Sequence, residues 1–295
     1  MRAPINLETS IHHLFATPTM SFRILHTADL HGRIDWLRWL RRQARDFDLV
    51  CIAGDLLDLR EDQQIKMQID QISALLRSFP APLAISSGNH DMVHDDAANP
   101  GRLWLEALRR ENLWIDGDRF NLGGHTFRCL GWGNPVPPAN AGEIWITHAP
   151  PDRCEVGLNR REQDRGDHEL GEVCRSGWGP QIALCGHVHE ARGWQARVGS
   201  TLILNPGHSP AATFPSHCIV DLGRGSAEWR RLLGVIETVA FGERRLEVLL
   251  AGLGDLEIEA LLIRAIASLR AEGTTLTPSE IAEFRQRLRA LARNT

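Results

Sequence analysis

Five places in this 295-residue chain end an apolar run on side chains that bind metals or move protons. Asp29 and His31 follow FRILHTA. Asp55 follows LVCIAG, with Asp58 three residues on. Asn89, His90 and Asp91 follow PLAISSG, His148 follows EIWIT, and His187 and His189 follow IALCG. A set that mixes carboxylates, an amide and imidazoles suits two divalent cations, Mn, Fe, Zn or Co, better than Ca. No thiolate belongs to it, which argues against a structural zinc site. Two cations about 3.5–4 Å apart need a shared carboxylate, clamp a phosphoryl group and acidify a water between them. Any one of these histidines alone reads more readily as a hydrogen-bonded structural residue. Their joint placement at strand ends, where α/β sheets gather their sites, carries the argument.

The elements that must position them alternate. FRILHTAD, DLVCIAGD and PLAISSGNHD read as buried strands, and RIDWLRWLRRQARD, EDQQIKMQIDQISALLRSF and GRLWLEALRREN as the helices between them. LWIDGDRFNLGGHTFRCLGWGNP contributes short strand-like runs broken by Gly and Asp. EIWITHAPP, QIALCGHVHE and STLILNPGH follow as strands, and SHCIVDLG closes the series as the last one. The polar stretch DRCEVGLNRREQDRGDHELG reads as a surface loop leading to a short helix. Such alternation favours an α/β sheet with helices outside.

Three regions are expected: an N-terminal arm over 1–19, with Met20 as an alternative start; a domain over 20–226; and a helical extension over 227–295. The last is rich in Leu, Ala, Glu and Arg. DLEIEALLIRAIASLRAE predicts one helix. Thr277-Pro278-Ser279-Glu280 carries cap chemistry for another, with Ile281, Phe284, Leu288 and Leu291 as its apolar stripe. Acidic and basic residues balance there, so its apolar faces matter more than its charge. It is expected to pack on its own domain, to pair in a homodimer or to meet a protein partner.

Composition excludes several classes. Hydrophobic residues make 43% and charged residues 24%, ordinary for a globular chain. No run of about 18 apolar residues is present, so no transmembrane helix and no membrane partner is expected. The net charge of −4 gives no global case for nucleic acid. The six cysteines form no C-x-x-C pair, and Cys51 and Cys185 sit inside apolar runs as small buried hydrophobes. A reduced, cytoplasmic chain is expected.

The order D-x-H, G-D-x-x-D, G-N-H-D, a strand-end His and G-H-x-H, from Asp29 to His189, resembles the calcineurin-like metallophosphoesterase superfamily over roughly Phe22 to Leu222. THAPPD, GHVHEARG and NPG are similar to its small phosphodiesterase-like branch. The resemblance implies a four-layer α/β/β/α sandwich, two mixed sheets flanked by helices. It implies one metal on Asp29, His31, Asp55 and His189, and a second on Asp55, Asn89, His148 and His187, with Asp55 bridging and Mn²⁺ the first choice of ion. It implies that His90 reaches the phosphate and protonates or stabilises the leaving oxygen, and that Asp58 orients His90. The activity so implied is hydrolysis of a small or nucleotide-like phosphodiester by a metal-bridging hydroxide.

Asn89, His90, Arg153 and His208 are the candidate substrate contacts. Arg153 shares its polar loop with Arg160, Arg161 and Arg165, whose planar forks suit phosphate, against the alternative of a solvated loop. His208 follows the NPG turn and either touches substrate or faces solvent. His94 is a further candidate for the cleft. Arg33, Arg38, Arg41, Arg42 and Arg45, with Trp36 and Trp39, form either a nucleic-acid footprint or a wet helix face over packing tryptophans. Three other functions remain open. HTADLHG resembles the opening motif of DNA-repair nucleases, although the acidic balance disfavours nucleic acid. A phosphomonoesterase is partly suggested by Leu59-Arg60, displaced by one position. A non-catalytic metal-bound scaffold is disfavoured because no ligand is missing.

Overall fold

The structure, a computed structural model, describes residues 21–60, 64–93, 104–231, 234–241, 254–271 and 276–293. Two sheets form its frame. Strands β1 (Arg23–Thr27), β2 (Leu49–Ala53), β3 (Leu83–Ser86) and β4 (Leu113–Trp114) build one side of the first. β11 (His217–Asp221), β12 (Ser226–Arg231) and β13 (Gly234–Ala240) extend it, in the order β13-β12-β11-β1-β2-β3-β4. The second sheet holds β5 (Arg119–Leu122), β6 (His125–Leu130), β7 (Ile144–Thr147), β8 (Ile182–Leu184), β9 (Gln195–Val198) and β10 (Thr201–Leu204), in the order β5-β6-β7-β8-β10-β9.

Runs such as LVCIA are apolar at every position because both faces are covered. β1 pairs with β2 in parallel, Ile24 opposite Leu49, and β2 with β3, Val50 opposite Leu83. β6, β7 and β8 are likewise parallel. Strand alternation then sorts the side chains. Leu25, Val50, Ile52, Leu83 and Ile85 meet Trp36, Leu37 and Leu40 of helix α1 (Ile34–Gln43) and Ile72 and Leu76 of α2 (Ile65–Arg77). On the other sheet Trp145, Ala183 and Ile203 meet Leu170 and Cys174 of α3 (His168–Arg175). Asp167 caps α3 by accepting from the Leu170 amide at 2.9 Å. Strands β2 and β3 pack across on β6 and β7. The expected α/β/β/α sandwich is the fold, and its parallel strands send their carboxyl ends to one rim.

Two expectations are corrected. GRLWLEALRREN forms, among its described residues, only a 3-10 stretch, Trp104–Leu108, whose Trp104, Leu105 and Leu108 are buried. The chain after Ser226 does not turn helical at once: β12 and β13 add two strands to the sheet after SHCIVDLG. In SAEWRR only Ala227 is fully buried, and the strand lies between β13 and β11.

The chain divides into two compact units, Phe22–Val220 with Ala227–Thr238, and a smaller one that includes Val239–Thr295. In the smaller unit, α4 (Asp255–Ala271) and α5 (Pro278–Arg293) are the two expected helices. Arg285 grips Glu259 at 2.6 and 3.1 Å, and Ile258, Leu262, Phe284 and Leu288 are buried. Thr277 and Glu280 form the predicted cap, with the Thr277 amide 2.6 Å from Glu280 Oε2. Residues 1–19 and His94 lie outside the described residues. Among those described, no helix is long and apolar enough to cross a membrane.

Candidate active site

The two motif loops after β1 and β2 lock together through their backbones. The amides of Asp29, His31 and Gly32 donate to the carbonyls of Gly54, Asp55 and Leu56 at 3.0, 2.9 and 2.7 Å. Keeping that ladder while aiming side chains inward forces the backbone into the left-handed region. Asp29, His31, Asp55 and His187 all have positive φ, between 43° and 68°. Left-handed backbone costs a non-glycine residue about 1–2 kcal/mol, and it persists only where surroundings over-determine it. Gly54 and Gly88 explain two fixed letters of the motifs. A Cβ on Gly54 would stand 2.5 Å from His148 Nδ1, and one on Gly88 would overlap the Asp55 carboxylate.

The expected ligands converge. Asp29 and Asp55 are buried, as is His148. His31 Nε2 and His189 Nε2 face each other at 3.0 Å, with Asp29 Oδ1 3.4 Å from His189 and Asp55 Oδ2 3.8 Å from His31. On the other side of Asp55, His148 Nε2 lies 3.3 Å from Oδ1, 3.2 Å from Asn89 Oδ1 and 3.3 Å from His187 Nδ1. Two imidazole nitrogens facing at such distances repel unless a cation or proton lies between them. Two nitrogens each about 2.1 Å from one ion stand about 3.0–3.4 Å apart. Both pairs match that spacing, and the two oxygens of Asp55 point one to each pair. The residues therefore fit two divalent ions sharing Asp55.

Outer contacts fix the orientation. His148 Nδ1 donates to the Ala53 carbonyl at 2.7 Å, which leaves Nε2 as the inward lone pair. The His90 amide donates to Asp55 Oδ1 at 2.8 Å. Burial by itself raises the Asp55 carboxyl, but the His148 ring and the His90 amide outweigh it and hold the carboxyl well below the usual range. Burial by itself depresses His148, yet Asp55 raises it to about 9; burial and the charge of His148 push His187 down to about 4.

Several expected contacts differ. Asp58 lies close to His90 and His31 but makes no hydrogen bond to His90 among the described residues. Its carboxylate takes the Arg60 guanidinium at 2.6 and 2.8 Å, and that pairing lowers it to about 2. His90 Nδ1 instead accepts from the Leu59 amide at 3.4 Å. Arg153 turns to Asp152 at 3.5 Å and Glu172 at 4.0 Å, since neighbouring carboxylates of its own loop and of α3 outcompete the rim. His208 does not face solvent: its Nδ1 donates to the Asp29 carbonyl at 2.8 Å and its ring lies 4.7 Å from His189. Trp36 is fully buried and Trp39 stacks on Phe214 at 5.1 Å, both in packing roles.

Other residues gain roles. Asp91 is buried and accepts from the amides of Leu56, Leu57 and Gly88 at 3.0, 3.1 and 2.9 Å, binding one motif loop to the other. Its position beside His90 was visible; its inward turn was not. Asn205 donates to the carbonyls of Gly186 and Val188 and accepts from the Gly207 amide at 2.8 Å, so the NPG turn braces the G-H-x-H loop. Trp132 walls the second pair, 5.2 Å from His187. Beside His189 and His208 opens a cleft of about 1,010 Å³ that Arg160, Trp194, Trp229 and Arg231 help to line.

No curated protein matches the chain. One solved structure superposes with a TM-score of 0.55 at 14% identity, covering 72% of this chain and 100% of its own. A dimetal phosphatase from Danio rerio gives 0.50 at 14% identity, over 75% of this chain and 98% of that one. A phosphoesterase from E. coli gives 0.39 at 14% identity, over 74% and 99%. At 14% identity the first two likenesses speak to the fold alone. The family model for calcineurin-like phosphoesterases matches residues 22–191, more than half of the chain and the whole stretch from Asp29 to His189. The chain belongs to the calcineurin-like phosphoesterases, a family of metal-dependent phosphoester hydrolases.

Proposed function

We propose that this chain is a dimetal phosphodiesterase acting on a small or nucleotide-like phosphodiester. The observation that carries the choice of a diester is the cleft. It adjoins His189 and His208, and its volume of about 1,010 Å³ suits a substrate with two organic arms better than the single arm of a monoester.

Asp29, His31, Asp55 and His189 would hold one ion, and Asp55, Asn89, His148 and His187 the other. The mixed oxygen and nitrogen set supports Mn²⁺ as first choice. When bound, the ions supply Lewis acidity toward phosphoryl oxygens and lower the pKa of a water. The chain's own residues do the rest. His148 is held in one tautomer by Ala53. His90 accepts the Leu59 amide on Nδ1, which leaves Nε2 as its donor. From there it would give a hydrogen bond that stabilises the departing ester oxygen. The six unpaired thiols support a reducing, cytoplasmic setting.

The test is hydrolysis of bis-p-nitrophenyl phosphate and p-nitrophenyl phosphate in parallel, with Mn²⁺ and with EDTA. Metal-dependent turnover preferring the diester is expected. Preference for the monoester would make the protein a phosphatase.

A further inference from the structure

The cleft continues away from the metal ligands to a wall that the proposed chemistry does not use. Trp229 on β12 is half-buried, and its indole N–H donates to the Pro206 carbonyl at 3.0 Å, on the same NPG turn that carries His208. Behind it Trp194 is buried, nearly parallel at 9° with ring centres 6.0 Å apart, and donates its own N–H to Glu237 at 2.6 Å. A ring fastened at its edge and backed by another is a preorganised stacking platform. The Arg231 guanidinium lies over the Trp229 ring, 5.3 Å from its centre, and bonds to Ser209 Oγ. Arg192 is tied to Glu155 at 3.1 Å and Glu162 at 3.5 Å. Arg160 and Arg231, by contrast, have no carboxylate within 4.0 Å among the described residues, although both line the cleft. Trp194, Trp229 and Arg231 all lie beyond the residues 22–191 matched by the family model, so this wall is not part of the shared motifs.

We propose that this wall is a nucleoside subsite. It takes the nucleoside arm of a nucleotide phosphodiester whose phosphate lies at His189 and the other metal ligands; this deepens the phosphodiesterase reading and rests on it. The base stacks on Trp229, the carboxylates of Glu190 and Glu237 on the cleft lining offer acceptors to its N–H edges, and Arg160 and Arg231 donate to sugar and phosphate oxygens. Stacking of one base on an aromatic side chain changes affinity roughly 5- to 150-fold.

Two measurements separate this inference from the reading beneath it. The first compares thymidine 5′-p-nitrophenyl phosphate with methyl p-nitrophenyl phosphate, which share a leaving group and differ in the other arm. The thymidine ester is expected to have a kcat/KM at least tenfold higher, and Trp229→Ala should collapse that ratio toward one through KM. Trp229→Phe, which keeps a ring, should recover most of it, and Trp178→Ala, on a tryptophan outside the cleft, should leave it alone. The second measures binding of thymidine 5′-monophosphate and of ribose 5-phosphate by calorimetry. The base-bearing ligand should bind about tenfold tighter, and Trp229→Ala should abolish that difference. If both diesters are hydrolysed but the two ligands bind equally, the subsite is refuted and the phosphodiesterase stands. If neither diester is hydrolysed but thymidine monophosphate binds through Trp229, the subsite stands and the phosphodiesterase reading falls.

Discussion

A single carbon at Gly88 tests whether the shared carboxylate organises the site. Gly88 has φ −104°, ψ −179°, an extended conformation open to any residue, so Gly88→Ala carries no backbone penalty. Its Cβ would overlap Asp55 Oδ1 and stand 2.5 Å from the Asp55 amide nitrogen. Either the carboxylate or the loop must shift. Overpacking of this kind costs about 1–3 kcal/mol. Losing the hydrogen bond from the His90 amide to a charged carboxylate adds about 1.5–3 kcal/mol. Replacing Gly returns about 0.4–1 kcal/mol through the unfolded chain. The net loss is about 1.5–5.6 kcal/mol. The larger effect is on function, because the displaced oxygen is the one facing His148 at 3.3 Å, so one of the two ion positions loses its shared ligand.

The assay combines urea unfolding, bound metal by mass spectrometry and hydrolysis of bis-p-nitrophenyl phosphate. Gly88→Ala should bind fewer ions and lose at least a hundredfold in turnover. Gly117→Ala is the control. Its φ is +82° but nothing lies within 4 Å of an added Cβ, so it should lose about 1–2 kcal/mol of stability and keep its activity. Wild-type metal content in Gly88→Ala, with activity within threefold, would refute the shared role given to Asp55.

Three other outcomes are expected. His187→Ala should lower bound metal and turnover together, whereas His90→Ala should keep its metal and lose turnover at least a hundredfold; metal analysis beside kinetics distinguishes them. His26 and His217 are buried, which pushes each down to about 4 from an unfolded value near 6.5. The folded state therefore prefers them neutral, and their contribution is complete above pH 6.5, is lost as pH falls to 4 and changes no further below; it is about 3 kcal/mol each. His217→Asn should flatten the slope of unfolding free energy between pH 4 and 6.5. Thiol titration of the folded protein should find Cys154 alone reacting slowly, since Cys51, Cys129, Cys174, Cys185 and Cys218 are buried, and all six should react after unfolding.

What was legible in the sequence was what obeys a period or a spacing. LVCIA and IALC could only be covered strands, and ligands at their carboxyl ends had to share a rim. Contacts decided by competition were hidden. Asp58 stands three residues after Asp55 and reads as a partner for His90, but Arg60 is two residues away with a fork that fits it. Arg153 was drawn off in the same way by Asp152 and Glu172. Nothing local shows which of two charges will win. His208 was undecidable from the NPG turn because its direction is set by the Asp29 carbonyl, 179 residues earlier in the chain. β12 was lost among the helical composition that follows it, because six residues with two arginines at the end carry little strand signal until a neighbouring strand is present.

The strain and the charge in the site have one explanation. Four left-handed non-glycine residues together cost on the order of 4–8 kcal/mol, a large share of the stability of an ordinary domain. Each of the four, Asp29, His31, Asp55 and His187, also presents a lone pair to the cluster, and pairs of nitrogens face at 3.0 and 3.3 Å. Neither feature favours the folded chain by itself. Both become favourable once cations occupy the space that the lone pairs surround, since binding to the folded state alone adds about 4 kcal/mol at a thousandfold excess over Kd. The hydrogen bonds of Asp91, Asn205 and the paired loops hold the strained arrangement ready, so that the ions meet a site already shaped. The same bracing reaches His208 and, through the Pro206 carbonyl, Trp229, which places the stacking wall in a fixed relation to the reacting phosphate.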